Sequence, residues 1–331
     1  MTVKQRKRRR PRSSLRQAWQ TRELESDGES SGELGVIVAH YGVAVDVRLD
    51  SGETRSVKVR RRSGHVVGDR VERIGERLRR LERRTELRRR DAMGNVHVVA
   101  ANLDTLGIVV APVPPVPSGF IDRALIAAEA AGLDPILIVN KADLPETAAL
   151  IDSLRETWMI GPGAIAVPML SVSAITGLGL DALLDCFATG RRGAFVGTSG
   201  VGKSSLINAL LPQVELPVGE INPYSGLGRH TTTTATLHVL PRGGELIDTP
   251  GFRDFGLVDI GIGDLARHFP GFAPLLAAQS CRFGDCRHRA EPDCAIKAAV
   301  EHGRLAAARW DRYLELLAEL EQTTPTAQSR R

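Results

Sequence analysis

Residues 197–205 read Gly-Thr-Ser-Gly-Val-Gly-Lys-Ser-Ser, with Gly197, then four residues, then Gly202-Lys203-Ser204. That spacing is the pattern of a phosphate-binding loop between a strand and a helix. Such a loop works because successive backbone N–H groups and a helix N-terminus converge on phosphate oxygens. Gly197 and Gly202 permit the close backbone approach, Lys203 reaches the β- and γ-oxygens, and Ser204 is placed to coordinate Mg²⁺. Asp248-Thr249-Pro250-Gly251 closes an apolar run. Its Asp248 can hold the water shell of the magnesium, and the Gly251 N–H can sense a γ-phosphate. Asn140-Lys141-Ala142-Asp143 closes another apolar run. There Asp143 can accept from the N1–H and 2-amino groups of guanine. Adenine offers neither donor and would leave a buried carboxylate unpaired, at a cost of several kcal/mol. Asn140 would support this loop and the base edge, the Lys141 stem would cover the base face, and the Ser173-Ala174 turn would meet guanine O6.

A second group of chemistry-bearing residues spans 281–294. Cys281, Cys286, His288 and Cys294 supply three thiolates and one imidazole, the donor set of a structural tetrahedral zinc site. Arg282, Arg287 and Arg289 argue against an apolar segment with thiols packed inside it. With four protein ligands the site is closed and has no position left for catalysis. Cys186, in Asp-Ala-Leu-Leu-Asp-Cys-Phe, reads as core.

The order of the nucleotide motifs is unusual. The base-reading pair comes first, the phosphate loop third and Asp-Thr-Pro-Gly last, so one open sheet has been cut and rejoined: a circularly permuted nucleotide-binding domain. The elements that must position these motifs are strands with the motifs at their C-terminal ends, where open α/β sheets bind ligands. From about residue 96 short apolar strands alternate with helices, which predicts a mostly parallel sheet covered on both faces. Past residue 255 the pattern predicts no strand. The cysteines cluster there, and a long helical run follows through residues 295–322.

Ahead of the sheet, Val43, Val45, Val47 and Leu49 alternate with other residues, and Asp50-Ser51-Gly52 is a turn signal. Several short strands in about 60 residues suggest a small barrel of the oligonucleotide-binding kind. The charge supports that. The net charge of the chain is +5, but residues 55–90 carry fifteen Lys/Arg against five Asp/Glu, and residues 1–16 carry eight Lys/Arg and no acid. A basic front half suggests a polyanion partner. The predicted organisation is a disordered basic and acidic tail at 1–32, a barrel at 33–92, the nucleotide-binding domain at 96–256, a helical zinc domain at 257–322 and a polar tail at 323–331. No apolar run approaches the roughly 20 residues of a membrane span. The four cysteines do not form a secreted disulfide pattern, so a cytosolic protein with no membrane partner is expected; a monomer is expected as well.

With these motifs in this order, the chain resembles the circularly permuted, small-ribosomal-subunit-dependent GTPase A proteins of bacteria over roughly residues 34–320. The most specific elements are the permuted order, Gly226-Leu227-Gly228-Arg229-His230-Thr231-Thr232-Thr233-Thr234, and Cys281-x₄-Cys286-x-His288-x₅-Cys294. The resemblance implies an oligonucleotide-binding barrel, a central permuted P-loop GTPase and a C-terminal zinc domain. It implies action late in maturation of the small subunit, contact with that subunit and its 16S rRNA, and a slow GTPase that the subunit stimulates. It places guanine recognition on residues 140–143, and phosphate binding on Gly197, Thr198, Ser199, Gly200, Val201, Gly202, Lys203, Ser204 and Ser205. It places one zinc on the four ligands named.

A threonine of 231–234 should ligate Mg²⁺ beside Ser204. Four in a row leave the register open, and Thr232 is our choice. Where many GTPases carry a water-orienting glutamine this chain has Phe252, which cannot orient water, and the resemblance offers His230 instead, with Lys203 as the phosphate-stabilising group. The rival expectations are a permuted GTPase of large-subunit assembly and a non-catalytic RNA-binding factor with a vestigial site. Intact Lys203, Ser204 and Asp248 argue against the latter.

Overall fold

A computed structural model describes residues 32–91, 93–214, 235–248 and 257–323. The tails at 1–31 and 324–331 lie outside these residues, as do His230, Thr231 to Thr234, Gly251 and Phe252.

Five antiparallel strands open the chain: β1 (Glu33–His40), β2 (Ala44–Leu49), β3 (Thr54–Lys58), β4 (Arg70–Ile74) and β5 (Arg77–Arg80). Their pairing order is β3-β2-β1-β4-β5. In β2 every second residue is buried, Val45, Val47 and Leu49 among them, which is the alternation expected of a strand with one wet face. Gly52 turns β2 into β3 at φ 92°. A bulge between Ile37 and Ala39 bends β1, so its first half pairs with β4 and its last two residues reach a different partner. A hairpin of β6 (Glu86–Arg90) and β7 (Val96–Ala101) follows. Residues 96–101, where strand–helix alternation was expected to begin, thus pair antiparallel with the basic segment before them.

Parallel pairing then takes over. β8 (Thr105–Val110), β9 (Asp134–Val139), β10 (Met169–Ser171), β11 (Arg192–Val196) and β13 (Glu245–Asp248) run parallel in the order β10-β9-β8-β11-β13, and β12 (Ala235–Val239) lies antiparallel to β13. All six residues of β8 are buried, as a strand covered on both faces requires. The covering helices are α1 (Phe120–Ala131), α2 (Thr147–Trp158), α3 (Leu180–Cys186) and α4 (Lys203–Leu210). β12 also pairs with the end of β1, Ala39 with Thr236 and His40 with Ala235, so barrel and parallel sheet form one continuous sheet.

The described residues after 256 contain no strand and form α5 (Leu265–His268), α6 (Ala273–Ala278), α7 (Ala295–Glu301) and α8 (Ala307–Thr323). The single helical run expected from residue 295 is two helices. Gly303 adopts φ 67° after α7, and the Arg304 and Leu305 N–H groups turn back to the Ala299 carbonyl. Phe269, Phe272, Tyr313, Leu316 and Leu317 form the core here, together with Ile126 from α1. Among the described residues no helix is long and apolar enough to cross a membrane.

Candidate nucleotide site and metal centre

The phosphate loop leaves β11 after Val196 and enters α4 at Lys203. Its glycines are sterically required. A Cβ on Gly197 would stand 2.5 Å from the Val109 carbonyl oxygen, and one on Gly202, at φ 92°, would stand 2.4 Å from Asn140 Nδ2. Gly200 also has positive φ, at 83°. Lys203 Nζ donates to the carbonyls of Gly197 (2.6 Å) and Thr198 (2.9 Å), which pins its ammonium across the loop. Ser204 and Ser205 occupy the first turn of α4.

Asn140 joins the two motifs. It is buried at the end of β9, its Nδ2 donates to the Val201 carbonyl in the phosphate loop at 2.9 Å, and its Oδ1 accepts from Ala174 N at 3.3 Å. One amide therefore holds the phosphate loop, the Asn-Lys-Ala-Asp loop and the Ser173-Ala174 turn together. Ser173 is fully buried. Its Oγ donates to Asp143 Oδ1 at 2.6 Å and accepts from the Ile175 and Thr176 N–H groups. That orients the exposed Asp143 carboxylate. Lys141, at φ 65°, lays its Nζ 2.6 Å from the Val113 carbonyl, and burial lowers its pKa while Asp143 opposes the shift.

Asp248 ends β13. Its Oδ2 is buried and has no hydrogen-bond partner among the described residues. Burial pushes its carboxyl up to about 6, with the Lys203 ammonium pulling the other way. A buried carboxylate oxygen left unpaired, with the Lys203 ammonium acting on it, fits a hydrated Mg²⁺.

Sequence reading missed Thr147. Its Oγ1 donates to the Lys141 carbonyl at 2.7 Å, fixing the base loop to the start of α2. A threonine at a helix start carries no spacing rule that ties it to a lysine six residues earlier.

The four zinc-type ligands converge: their donor atoms all lie within 4.8 Å of one another. Zn–S of about 2.3 Å and Zn–N of about 2.0 Å at a tetrahedral angle place sulfur and nitrogen about 3.5 Å apart. His288 Nδ1 lies 3.5 Å from Cys281 Sγ and 3.4 Å from Cys294 Sγ. Backbone N–H groups of Ala295 and Lys297 point at Cys281 Sγ and Cys294 Sγ, as they do toward thiolates. Burial pushes the Cys286 thiol up to about 12, a penalty that a cation among the sulfurs reverses. His288 is held at φ 58° and its carbonyl accepts from Trp310 Nε1 at 2.8 Å. The donor set and spacing fit zinc.

Set beside known families, residues 80–258 match the family model for the RsgA GTPase. The chain belongs to the RsgA GTPase family. A curated RsgA relative from Pseudomonas fluorescens, a small ribosomal subunit biogenesis GTPase, is 42% identical over 325 residues, covering 93% of this chain and 92% of the relative. The RsgA of Pseudomonas aeruginosa is 41% identical over 321 residues, with 94% and 93% covered. The crystal structure of YjeQ from Thermotoga maritima superposes with a TM-score of 0.68 at 29% identity, covering 90% of this chain and 99% of that one. YloQ, a circularly permuted GTPase, superposes with a TM-score of 0.63 at 24% identity, covering 91% and 100%, and shares the fold. The permuted motif order thus belongs to an RsgA-type GTPase fold, and GTP hydrolysis is the activity of the family.

Proposed function

We propose that this RsgA-family GTPase acts late in maturation of the small ribosomal subunit, engages that subunit and its 16S rRNA through the barrel and the Cys-rich helical region, and hydrolyses GTP faster when engaged. The observation that carries the nucleotide part is the Asn140 amide, which ties the guanine-reading loop to the phosphate loop at Val201. The subunit part rests on what the curated relatives are and on Arg60, Arg61 and Arg62. All three are exposed at the end of β3 and have no ion-pair partner among the described residues. Other barrel arginines are paired, Arg83 to Asp69 and Arg70 to Asp50.

Asp143, steered by Ser173, reads the guanine N1–H and 2-amino group, and Lys141 lies along the base. Residues 197–205 cradle the phosphates, and Lys203 stabilises charge on the oxygens as the β–γ bridge breaks and water adds to the γ-phosphorus. Ser204, Asp248 and Thr232 are the residues that would hold Mg²⁺, which supplies electrostatic stabilisation of the leaving diphosphate when bound. Gly251 would sense the γ-phosphate and His230 would align the attacking water, since Phe252 cannot. One zinc would be held by Cys281, Cys286, His288 and Cys294 as a structural staple. The barrel, GTPase and helical zinc domains are assigned to residues 33–92, 96–256 and 257–322, in a monomeric cytoplasmic protein.

The test is GTP turnover with purified small and large ribosomal subunits. Small subunits should accelerate the native protein and large subunits should not. His230→Ala should bind a GTP analogue and the small subunit normally and lose about 10²–10⁴-fold of the stimulated rate. Turnover indifferent to small subunits would overturn the reading.

A further inference from the structure

The flanking regions hold the nucleotide site crosswise. The barrel precedes the base-reading strands in the chain. Arg84 makes an exposed pair with Asp104 ahead of β8, yet the polar joints from β1, β2 and Gly68 fall on the strands that carry the phosphate motifs. β1 pairs with β12. Arg48 of β2 pairs with Glu245, the first residue of β13, which ends at Asp248. Glu245 also accepts from Arg192 Nε at 2.8 Å and Nη2 at 2.6 Å, and Arg192 begins β11, which feeds the phosphate loop. Arg192 Nη1 in turn donates to the barrel carbonyl of Gly68 at 3.0 Å.

The C-terminal helices follow the phosphate motifs in the chain, yet they grip the base-reading half. Arg312 of α8 donates to Asp122 of α1 at 3.0 Å, and Glu319 of α8 pairs with Arg123 of α1. Arg309 of α8 is buried, donates through Nη2 to the Thr157 carbonyl, and stacks its guanidinium 4.7 Å from the centre of the Trp158 ring. Thr157 and Trp158 end α2. The other end of α2 is Thr147, bonded to the Lys141 carbonyl in the guanine loop. At 1.5 Å per residue, α2 is a rod about 18 Å long, with the base loop on one tip and Arg309 on the other. A cleft of about 810 Å³ opens between α2, α8 and the proline-rich segment 111–119. The joint therefore rests on a few contacts, and Arg309 is central among them.

We propose that Arg309 is a positioning residue for guanine recognition, acting along α2, and that Glu245 is its counterpart for the phosphate half, so that the two flanks set opposite halves of one site. This rests on the guanine-nucleotide reading above. Its consequence is a split. The base half touches GDP and GTP alike, whereas the phosphate half alone meets the γ-phosphate.

The experiment is equilibrium binding, without ribosomal subunits, of ribose-labelled fluorescent GDP and its non-hydrolysable triphosphate counterpart to the full-length protein. Arg309→Met keeps packing on Trp158 and removes the fork. It should weaken both nucleotides equally, on the order of tenfold. Thr147→Val should do the same from the other tip. The double variant should be no weaker than the worse single one, because the two residues act in series. Glu245→Gln, or Arg48→Gln should the first fold poorly, should instead change the ratio of triphosphate to diphosphate affinity. Circular dichroism melts confirm that each variant is folded at the assay temperature. Native affinities in Arg309→Met, or the same ratio change in Arg309→Met as in Glu245→Gln, would overturn the assignment. Failure of the native protein to prefer guanine over adenine nucleotides would instead overturn the underlying site reading.

Discussion

Two carboxylates at strand ends have opposite situations. Asp143 is exposed and held by Ser173 Oγ, which suits the base-reading role proposed for it. Asp143→Asn should shift preference from guanosine to xanthosine nucleotides, because the 2-oxo group of xanthine accepts where guanine donates. Competition binding of the two triphosphates checks this. Asp248 is pushed up to about 6 by burial and keeps an unpaired Oδ2. Removing that charge relieves a folding penalty of about 1–3 kcal/mol. Asp248→Asn should therefore raise the melting temperature of the nucleotide-free protein at pH 7.5 while turnover collapses, and calorimetry paired with phosphate release reads both. These motif residues were legible in the sequence because phosphate and base recognition demand residue types at fixed local spacing. Thr147 was not, and neither was Arg309, whose contact with the Thr157 carbonyl joins positions 152 residues apart. Nothing local marks such a pair.

At the scale of elements, the parallel strands were legible because short apolar runs such as residues 136–139 of β9 and 108–110 of β8, each flanked by turn residues and alternating with helical segments, mark strands covered on both faces. The three partners of β1 were not legible: a bulge lets one strand pair with β4 along its first half and β12 at its end, and alternation reports a wet face without naming the neighbours. The division of the last helical run is marked locally by Gly303, a helix-stop residue that the Ala-rich sequence on both sides outweighed in the reading of one continuous run. The segment between α6 and α7 has no regular structure and few buried apolar side chains, so its order should come from the metal. Elemental analysis should find one zinc per chain. Cys286→Ser should lose it, and proteolysis should then cut between residues 279 and 294 first, because a structural zinc site contributes folding free energy outright. A metal-free preparation equally resistant to protease would exclude that role.

For the whole molecule, charge underlies both the proposed docking of the barrel on the small subunit and its attachment to the parallel sheet. Neutralising Arg60, Arg61 and Arg62 together should weaken small-subunit binding and flatten its dependence on salt, because each phosphate contact releases about one counterion. Nucleotide affinity measured alone should not change. The attachment is acid-sensitive. Burial alone would raise the pKa of Glu245, but Arg192 and Arg48 outweigh it and hold the carboxyl below its ordinary 4.5. A lowered folded-state pKa means the unfolded chain binds the proton more readily. The contribution is therefore complete above pH 4.5 or so and lost as pH falls through the folded value. Melting temperatures at pH 6 and pH 4 should differ less in Glu245→Gln than in the native protein. The pairing of β1 with β12 has one more consequence. Without β1, part of β12 would present unpaired N–H and C=O groups at a sheet margin, a template on which another chain can add. A fragment starting at residue 102 should therefore self-associate with rising concentration in light scattering, and Thr236→Lys should suppress it. On that view the first strand of the barrel is also a solubility device, keeping the GTPase sheet from continuing into a neighbour.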